Sequence, residues 1–282
     1  MEIKNLGQTD FETLFSCFEK AFSDYEISFG KEEVRSMLKR RGYDPALSFA
    51  AFDNGTMVAF TMTGTGKYGG LPTAYDIGTG TVPEYRGQDI AGRIFRYSVP
   101  ILRSAGIRQY LLEVLQGNRK AISVYRRMNF QVTRQFDCFR QEADRIVGIG
   151  GNEGCRIVPV AADAVRQAQG WCDFNPSWQN SMDSIERGGR DLIALGAFLN
   201  GRMAGYCVFD PGTGDLTQIA VSGECRRKGI ATRLLHEASG RMTTSSVKVL
   251  NVDSGCTGMR AFLESRGIPL ASTQFEMALP IL

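Results

Sequence analysis

Histidine is almost absent from this 282-residue chain, His236 being the one copy. That excludes a histidine-rich metal centre, and no metal is expected. A Ser-His-Asp triad would have to run through this single side chain, which reads instead as an ordinary helix-surface residue. The seven cysteines (Cys17, Cys138, Cys155, Cys172, Cys207, Cys225, Cys256) are odd in number, scattered and never in CxxC spacing. The sequence also lacks a basic-apolar signal segment and any long apolar run. The expected home is a reducing cytoplasm with no membrane partner. Charge of one sign is scarce too: 33 basic and 30 acidic residues leave a net +3. A nucleic-acid coat is therefore not expected. The short run Lys39-Arg40-Arg41 reads as the solvated C-terminal end of a helix.

What is present in abundance is apolar surface, 43% of residues, and glycine, 32 residues. The chain can be read as two copies of one plan. Val82-Pro83-Glu84-Tyr85-Arg86-Gly87-Gln88-Asp89-Ile90-Ala91 is matched by Ser222-Gly223-Glu224-Cys225-Arg226-Arg227-Lys228-Gly229-Ile230-Ala231. Each loop follows a strand-like run, Thr73 to Val82 or Leu216 to Val221, and opens an amphipathic helix. Backbone N–H groups and cations at a helix N-terminus suit a phosphate. Asn54-Gly55 and Asn200-Gly201 mark equivalent hairpins. Arg86 maps to Arg226 with a shift of 140, and Asn129-Phe130 to Gly267-Ile268 with a shift of 138. Residues 148–154, rich in glycine, read as a linker. Domains over 1–145 and 155–282 are expected.

Both copies resemble the GNAT superfamily of acyl-CoA-dependent N-acyltransferases, whose loop follows Arg/Gln-x-x-Gly-x-Gly/Ala. The resemblance covers nearly all of both halves. It implies an α+β fold of two tandem GNAT-like domains, each a mixed, mostly antiparallel sheet flanked by helices. The sheet would splay where two central strands turn parallel. Acetyl-CoA would lie in the splay with its pyrophosphate on the loop. The implied cofactor contacts are Thr81, Val82, Arg86, Gly87, Gln88, Asp89, Ile90, Ala91 and Asn118 in the first half. In the second they are Val221, Arg226, Arg227, Lys228, Gly229, Ile230 and Ala231.

The first half carries the rest of the family's pattern: Leu111-Leu112-Glu113-Val114, then Asn118, Ala121, Tyr125 and Asn129-Phe130. It is similar to the ribosomal-protein N-terminal acetyltransferases. The resemblance makes Glu113 the general base and Tyr125 the general acid. An amine attacks a thioester only when neutral, and a protonated thiol leaves more readily than a bare thiolate. Read as bare residues, Glu113 could serve a polar core network, Tyr125 could be packed aromatic surface, and Asn118 could be a helix N-cap.

The copies depart from the pattern in opposite places. By the 138 shift Glu113, Asn118 and Tyr125 become Asn251, Cys256 and Leu263, with Phe262 one residue away. The second domain is expected to be a substrate wall, a cofactor-binding relic or the platform of a homodimer. The first carries Asp89 where the loop wants glycine. At about 4 Å from a phosphate charge the repulsion is about 4 kcal/mol for an effective dielectric near 20. Asp89 equally suits a helix N-cap and tolerates left-handed backbone. Asn129 in a glycine place shares that tolerance. The expected activity is acetyl transfer from acetyl-CoA to the primary amine of a small molecule or peptide, in a cleft borrowing Phe22, Tyr25 and Phe29. The alternative is a non-catalytic acyl-CoA-binding or regulatory protein using the second loop.

Overall fold

The computed structural model describes residues 1–24, 29–147 and 154–282. Tyr25 and all but the last residue of the expected linker lie outside them. The elements follow one another as β1 (Glu2–Asn5), α1 (Phe11–Ala21), α2 (Lys31–Arg40), β2 (Phe49–Asp53), β3 (Thr56–Tyr68) and β4 (Leu71–Thr81), then α3 (Ile90–Ser104), β5 (Gln109–Leu115), α4 (Arg119–Arg127) and β6 (Gln131–Glu142). The plan then restarts with β7 (Arg156–Pro159), α5 (Ala162–Gln167), α6 (Met182–Gly188), β8 (Ile193–Leu199), β9 (Arg202–Asp210) and β10 (Asp215–Val221). It closes with α7 (Ile230–Ser239), β11 (Ser246–Asp253), α8 (Thr257–Ser265) and β12 (Leu270–Pro280). No helix among the described residues is long and apolar enough to cross a membrane.

Two compact units result, but they divide the chain elsewhere than the expected 1–145 and 155–282. Unit 1 is Met1–Thr133 with Glu276–Leu282, and unit 2 is Arg134–Phe275. The chain changes unit inside β6 and returns inside β12. In unit 1 the strand order is β1-β2-β3-β4-β5 followed by the C-terminal part of β12. In unit 2 it is β7-β8-β9-β10-β11-β6 followed by the N-terminal part of β12. The physical reason is hydrogen-bond pairing. From Phe136 to Glu142, β6 ladders antiparallel with β11, not with a strand of the first half.

Each unit has the expected mixed, mostly antiparallel sheet. The parallel pairing of its central strands is short. β4 and β5 pair at Thr73↔Gln109, Ala74↔Tyr110 and Tyr75↔Leu111, and their ladder stops there. β10 and β11 pair in parallel at Asp215↔Lys248. Both splays are helped by a bulge. In β4, Thr63↔Asp76 is followed by Met62↔Gly78, leaving Ile77 unmatched. In β10, Leu216↔Phe209 is followed by Gln218↔Val208, leaving Thr217 unmatched. An extra residue bends its strand and sharpens the local twist, which opens the parallel edge at the same place in both units. Apolar packing fixes the sheets: Phe60 and Leu112 are fully buried in unit 1, Phe139 and Phe209 in unit 2. His236 is exposed on α7.

Candidate active site

The two loops have the same backbone despite their different residues. Gly87 (φ 79°) and Asp89 (φ 54°) are left-handed in the first, Arg227 (φ 59°) and Gly229 (φ 77°) in the second. Alternating left-handed residues turn successive N–H groups inward as an anion-binding concavity. Asp89 does stand at the N-cap position of α3, but its side chain makes no capping bond. Effective N-caps have extended backbone, and the left-handed conformation swings this carboxylate elsewhere. It accepts from Arg96 Nη2 at 2.6 Å. Gly92 leaves it room, since a Cβ there would sit 2.3 Å from Asp89 Oδ1.

The leading arginines brace the loops. Arg86 donates to both oxygens of Asp24 at 2.6 and 2.8 Å, to the Ala21 carbonyl at 3.0 Å and to the Thr81 carbonyl at 3.2 Å. These hydrogen bonds hold the Asp24 carboxyl down at about 2. Arg226 repeats the pattern on Asp173, 2.7 Å away, and on the carbonyls of Trp171 and Val221 at 3.1 and 3.2 Å. Where the first loop continues with Gly87-Gln88, the second adds Arg227 and Lys228, and the Lys228 ammonium donates to the Glu224 carbonyl at 2.9 Å. Val82 and Ile90 are buried core residues, so they offer only backbone.

Below the first loop, unit 1 holds a cavity of about 160 Å³ lined by Thr61, Asp76, Thr79, Ala91, Tyr110 and Tyr125 among others. Phe130 fixes its inner wall, 5.7 Å from Tyr125, 5.8 Å from Tyr110 and 5.4 Å from Phe95. Of the predicted cofactor residues Thr81 and Ala91 line it, whereas Arg86, Gly87, Gln88, Asp89 and Asn118 do not. Asn118 caps α4, accepting from the Ala121 amide at 3.1 Å. Asn129 takes the glycine-like φ of 67° and its counterpart Gly267 one of 77°.

Asp76 was not anticipated. Its Oδ2 accepts from Thr79 Oγ1 at 2.8 Å and from the Tyr125 hydroxyl at 3.2 Å. Its Oδ1 is buried with no hydrogen-bond partner. Burial lifts this carboxyl to about 6, against the pull of Thr79, Tyr125, the Gly78 amide and Arg41. The Tyr125 phenol is driven well above its ordinary range by burial first and the Asp76 charge second. The sequence signal was a lone carboxylate in a strand of otherwise uncharged residues, Leu71 to Thr81.

Glu113 does not line this cavity. Strand alternation puts it on the Leu111 face of β5, opposite Tyr110, where it accepts a hydrogen bond from the buried Tyr75 phenol. Arg41 corrects the reading of a solvated helix end. It is half-buried and donates to the Ile77 carbonyl of the bulge at 3.1 Å.

Comparison with known proteins decides the family. The Acetyltransferase (GNAT) family model matches residues 14–130 and 163–268, one stretch in each half. The chain belongs to the GNAT family. N-alpha-acetyltransferase 30 of Schizosaccharomyces pombe is 30% identical over 87 residues, which is 30% of this chain. The chain spans 58% of the length of that curated relative. Among solved structures, a GCN5-related N-acetyltransferase from Sphaerobacter thermophilus superposes with a TM-score of 0.74 at 15% identity, over 99% of this chain and 95% of that one. A tandem GNAT protein from the clavulanic acid biosynthesis pathway, determined without AcCoA, gives 0.72 at 13% identity, over 100% and 98%. Those two likenesses show the tandem GNAT fold.

The second GNAT unit has a different interior. Asn180, buried, accepts from Gln218 Nε2 of β10 at 2.6 Å through its carbonyl and donates from Nδ2 to the Leu250 carbonyl of β11 at 2.8 Å. One residue thus staples the two strands where they splay. Gln218 Oε1 accepts from the Tyr206 hydroxyl at 2.9 Å, and Asn251, in the place of Glu113, donates to Ser177 Oγ at 3.1 Å. Leu263, in the place of Tyr125, is fully buried. Outside the staple runs a groove of about 980 Å³, lined by Val221, Arg226, Arg227, Gly229, Ile230, Ala231 and α8 residues including Phe262. Lys228 is not among its lining residues.

The raised Asp76 carboxyl has a consequence for stability. Its folded value of about 6 lies above the ordinary 3.8, so the native state binds this proton more tightly than the unfolded chain. Stability from this group falls as pH rises through that window and stays lost above it. That difference in proton affinity is worth on the order of 3 kcal/mol. Asp76→Asn is expected to unfold at higher urea than wild type at pH 7, with the gap closing near pH 4. Equal midpoints at pH 7 would refute the assignment.

Proposed function

We propose that the protein is a cytoplasmic N-acetyltransferase that moves an acetyl group from acetyl-CoA to a primary amine, with unit 1 as the catalytic unit. The observation that carries this reading is the Tyr125 hydroxyl, which lines the cavity at the splay below an intact anion-binding loop. The residues present fit the cofactor. A loop with left-handed residues at Gly87 and Asp89 offers amides for a pyrophosphate, and the splayed edge offers a slot between strands. When bound, acetyl-CoA supplies an activated acyl carbon and a sulfur leaving group. Glu113, on the opposite face of β5 from the cavity, takes the proton that keeps the incoming amine from attacking. Tyr125 delivers a proton to the departing sulfur. The polypeptide's task is to hold these two groups on the two faces of β5, so that base and acid act at once.

The name of the fission-yeast relative makes a peptide N-terminus the first acceptor to screen, with small amines next. A second reading is supported by unit 2. Its groove is larger and its loop carries two more cations, so it suits an acyl-CoA held without turnover, the staple at Asn180 filling the place of reaction. Calorimetric titration of acetyl-CoA into wild type, Asp89→Gly and Gly229→Glu separates the two. Catalytic binding in unit 1 predicts that affinity survives Gly229→Glu and is kept in Asp89→Gly, because the Asp89 carboxylate is turned onto Arg96 and its loss costs the loop no phosphate contact. Binding lost only in Gly229→Glu would place the cofactor in unit 2 and favour the sensor. Thermal unfolding of each variant checks that the loop change has not unfolded the unit.

A further inference from the structure

The first unit contains a chain of polar side chains that its sister lacks. Thr61 Oγ1 lies 3.1 Å from Thr79 Oγ1, which donates to Asp76 Oδ2, and the same oxygen accepts from Tyr125. The matched bulges at Ile77 and Thr217 align the strands, so Asp76 corresponds to Leu216 and Thr79 to Ile219. Tyr125 corresponds to Leu263. Where the second copy has lost the phenol, it has also lost the carboxylate and the hydroxyl beside it. Three polar groups on two elements replaced together by apolar ones behave as one device. A buried carboxylate with one oxygen unpartnered is expensive to keep, so Asp76 needs a reason beyond packing.

We propose that Asp76 is a positioning residue that stores the proton Tyr125 passes to the departing sulfur, so that acid and reservoir are a pair and not a lone phenol. This rests on the acyl-transfer reading above. The phenol alone is poorly suited to the task, because an ionised Asp76 beside it strengthens its hold on its proton. With Asp76 protonated that charge is gone. As the Tyr125 oxygen gives up its proton it takes the one from Asp76, leaving a tyrosine and a carboxylate in place of a tyrosine and a carboxylic acid. Across the whole turnover an ammonium becomes an amide and loses two protons, of which one ends on the thiol. Asp76 is refilled through solvent from that surplus, and no other reagent is needed.

The charged and titratable groups facing Asp76 are Tyr125 on α4, Tyr110 on β5, Tyr75 beside it on β4 and Arg41 after α2. Burial pushes all three phenols up from an ordinary value already well above neutrality, which leaves Asp76, raised to about 6, as the carboxyl of this cluster that changes charge between about pH 5 and 8. The sign follows. As pH rises through the Asp76 value the reservoir empties, so kcat should show an alkaline limb.

Two measurements test the pair. Carboxyl carbon NMR of aspartate-labelled, ligand-free protein should show one carboxyl titrating near 6. That signal should vanish in Asp76→Asn and move to higher pH in Tyr125→Phe, because the phenol's hydrogen bond favours the charged form. The pH profile of kcat should lose its alkaline limb in Asp76→Asn, with the maximum lowered at least about tenfold. Asparagine keeps an acceptor for Tyr125, so an orienting role alone would leave the limb in place. Thr79→Val, which removes a donor at Asp76 and keeps the Tyr125 phenol itself, should shift the limb to higher pH. An Asp76 titration indifferent to Tyr125→Phe, or an unaltered limb in Asp76→Asn, overturns the proposal. Because the NMR arm needs no turnover, absence of acetylation with coupling intact would count against the acyl-transfer reading instead.

Discussion

Tyr125→Phe is expected to lower kcat for acetyl transfer by about 10²- to 10³-fold, the range general-acid groups commonly supply. Acetyl-CoA affinity should change by no more than about threefold, since an interaction made only in the transition state is lost from kcat and not from ground-state binding. Phenylalanine is the right probe because the ring is already held as an aromatic, edge-on to Phe130 at 5.7 Å. The substitution keeps that wall and deletes only the oxygen bonded to Asp76. Steady-state kinetics with a peptide or small amine, alongside calorimetry, separates the two parameters. A drop in affinity matching the drop in rate would mean that Tyr125 helps to hold the cofactor. An unchanged kcat would remove it from the chemistry, and the Asp76 pair with it.

The duplication was legible because its signals are local. A strand, an arginine-glycine loop and an amphipathic helix follow one another directly, Leu71 to Ser104 in the first copy and Asp215 to Ser239 in the second, and recur at a nearly constant shift. Hairpins at Asn54-Gly55 and Asn200-Gly201 depend only on residues that accept positive φ, and all four have it. What escaped the sequence is set by contacts distant along the chain. Arg86 looks like a phosphate ligand until Asp24, 62 residues earlier, is placed against it. Asp76 carries no meaning alone, and its partner Tyr125 is 49 residues away. Asp89 shows the limit of a rule based on residue type, because its left-handed backbone turns the carboxylate onto Arg96. Strand partnership is the other omission. By chain order Gln131 to Cys138 reads as the last strand of the first half and Ser272 to Ala278 as that of the second, yet alternation specifies a buried face and not which edge it joins.

That ambiguity leads to the prediction with the largest effect on folding. Residues 1–145 expressed alone should give no cooperatively folding protein, although they carry the whole first copy of the plan. Their missing piece is Glu276–Leu282, which belongs to unit 1 and supplies the buried Met277 and Ile281. The Ile281 amide donates to the Arg108 carbonyl at 2.8 Å, and Thr133 Oγ1 donates to Glu276 Oε1 at 2.8 Å. Their surplus piece is 134–145, which belongs to unit 2 and carries Phe136 and Phe139, both fully buried in the intact chain and Phe139 within the unit 2 core. Removing two buried side chains and leaving two more uncovered forfeits about 1.5–3 kcal/mol for each, against a total stability of about 5–15 kcal/mol for a domain. The uncovered strand edge is also a template for aggregation. A single chain joining 1–133 through a short flexible linker to 276–282 should instead be soluble and unfold in one sigmoidal urea transition. If 1–145 folds as well as that fusion does, each copy is self-sufficient and the division of the chain inside β6 and β12 is not what holds unit 1 together.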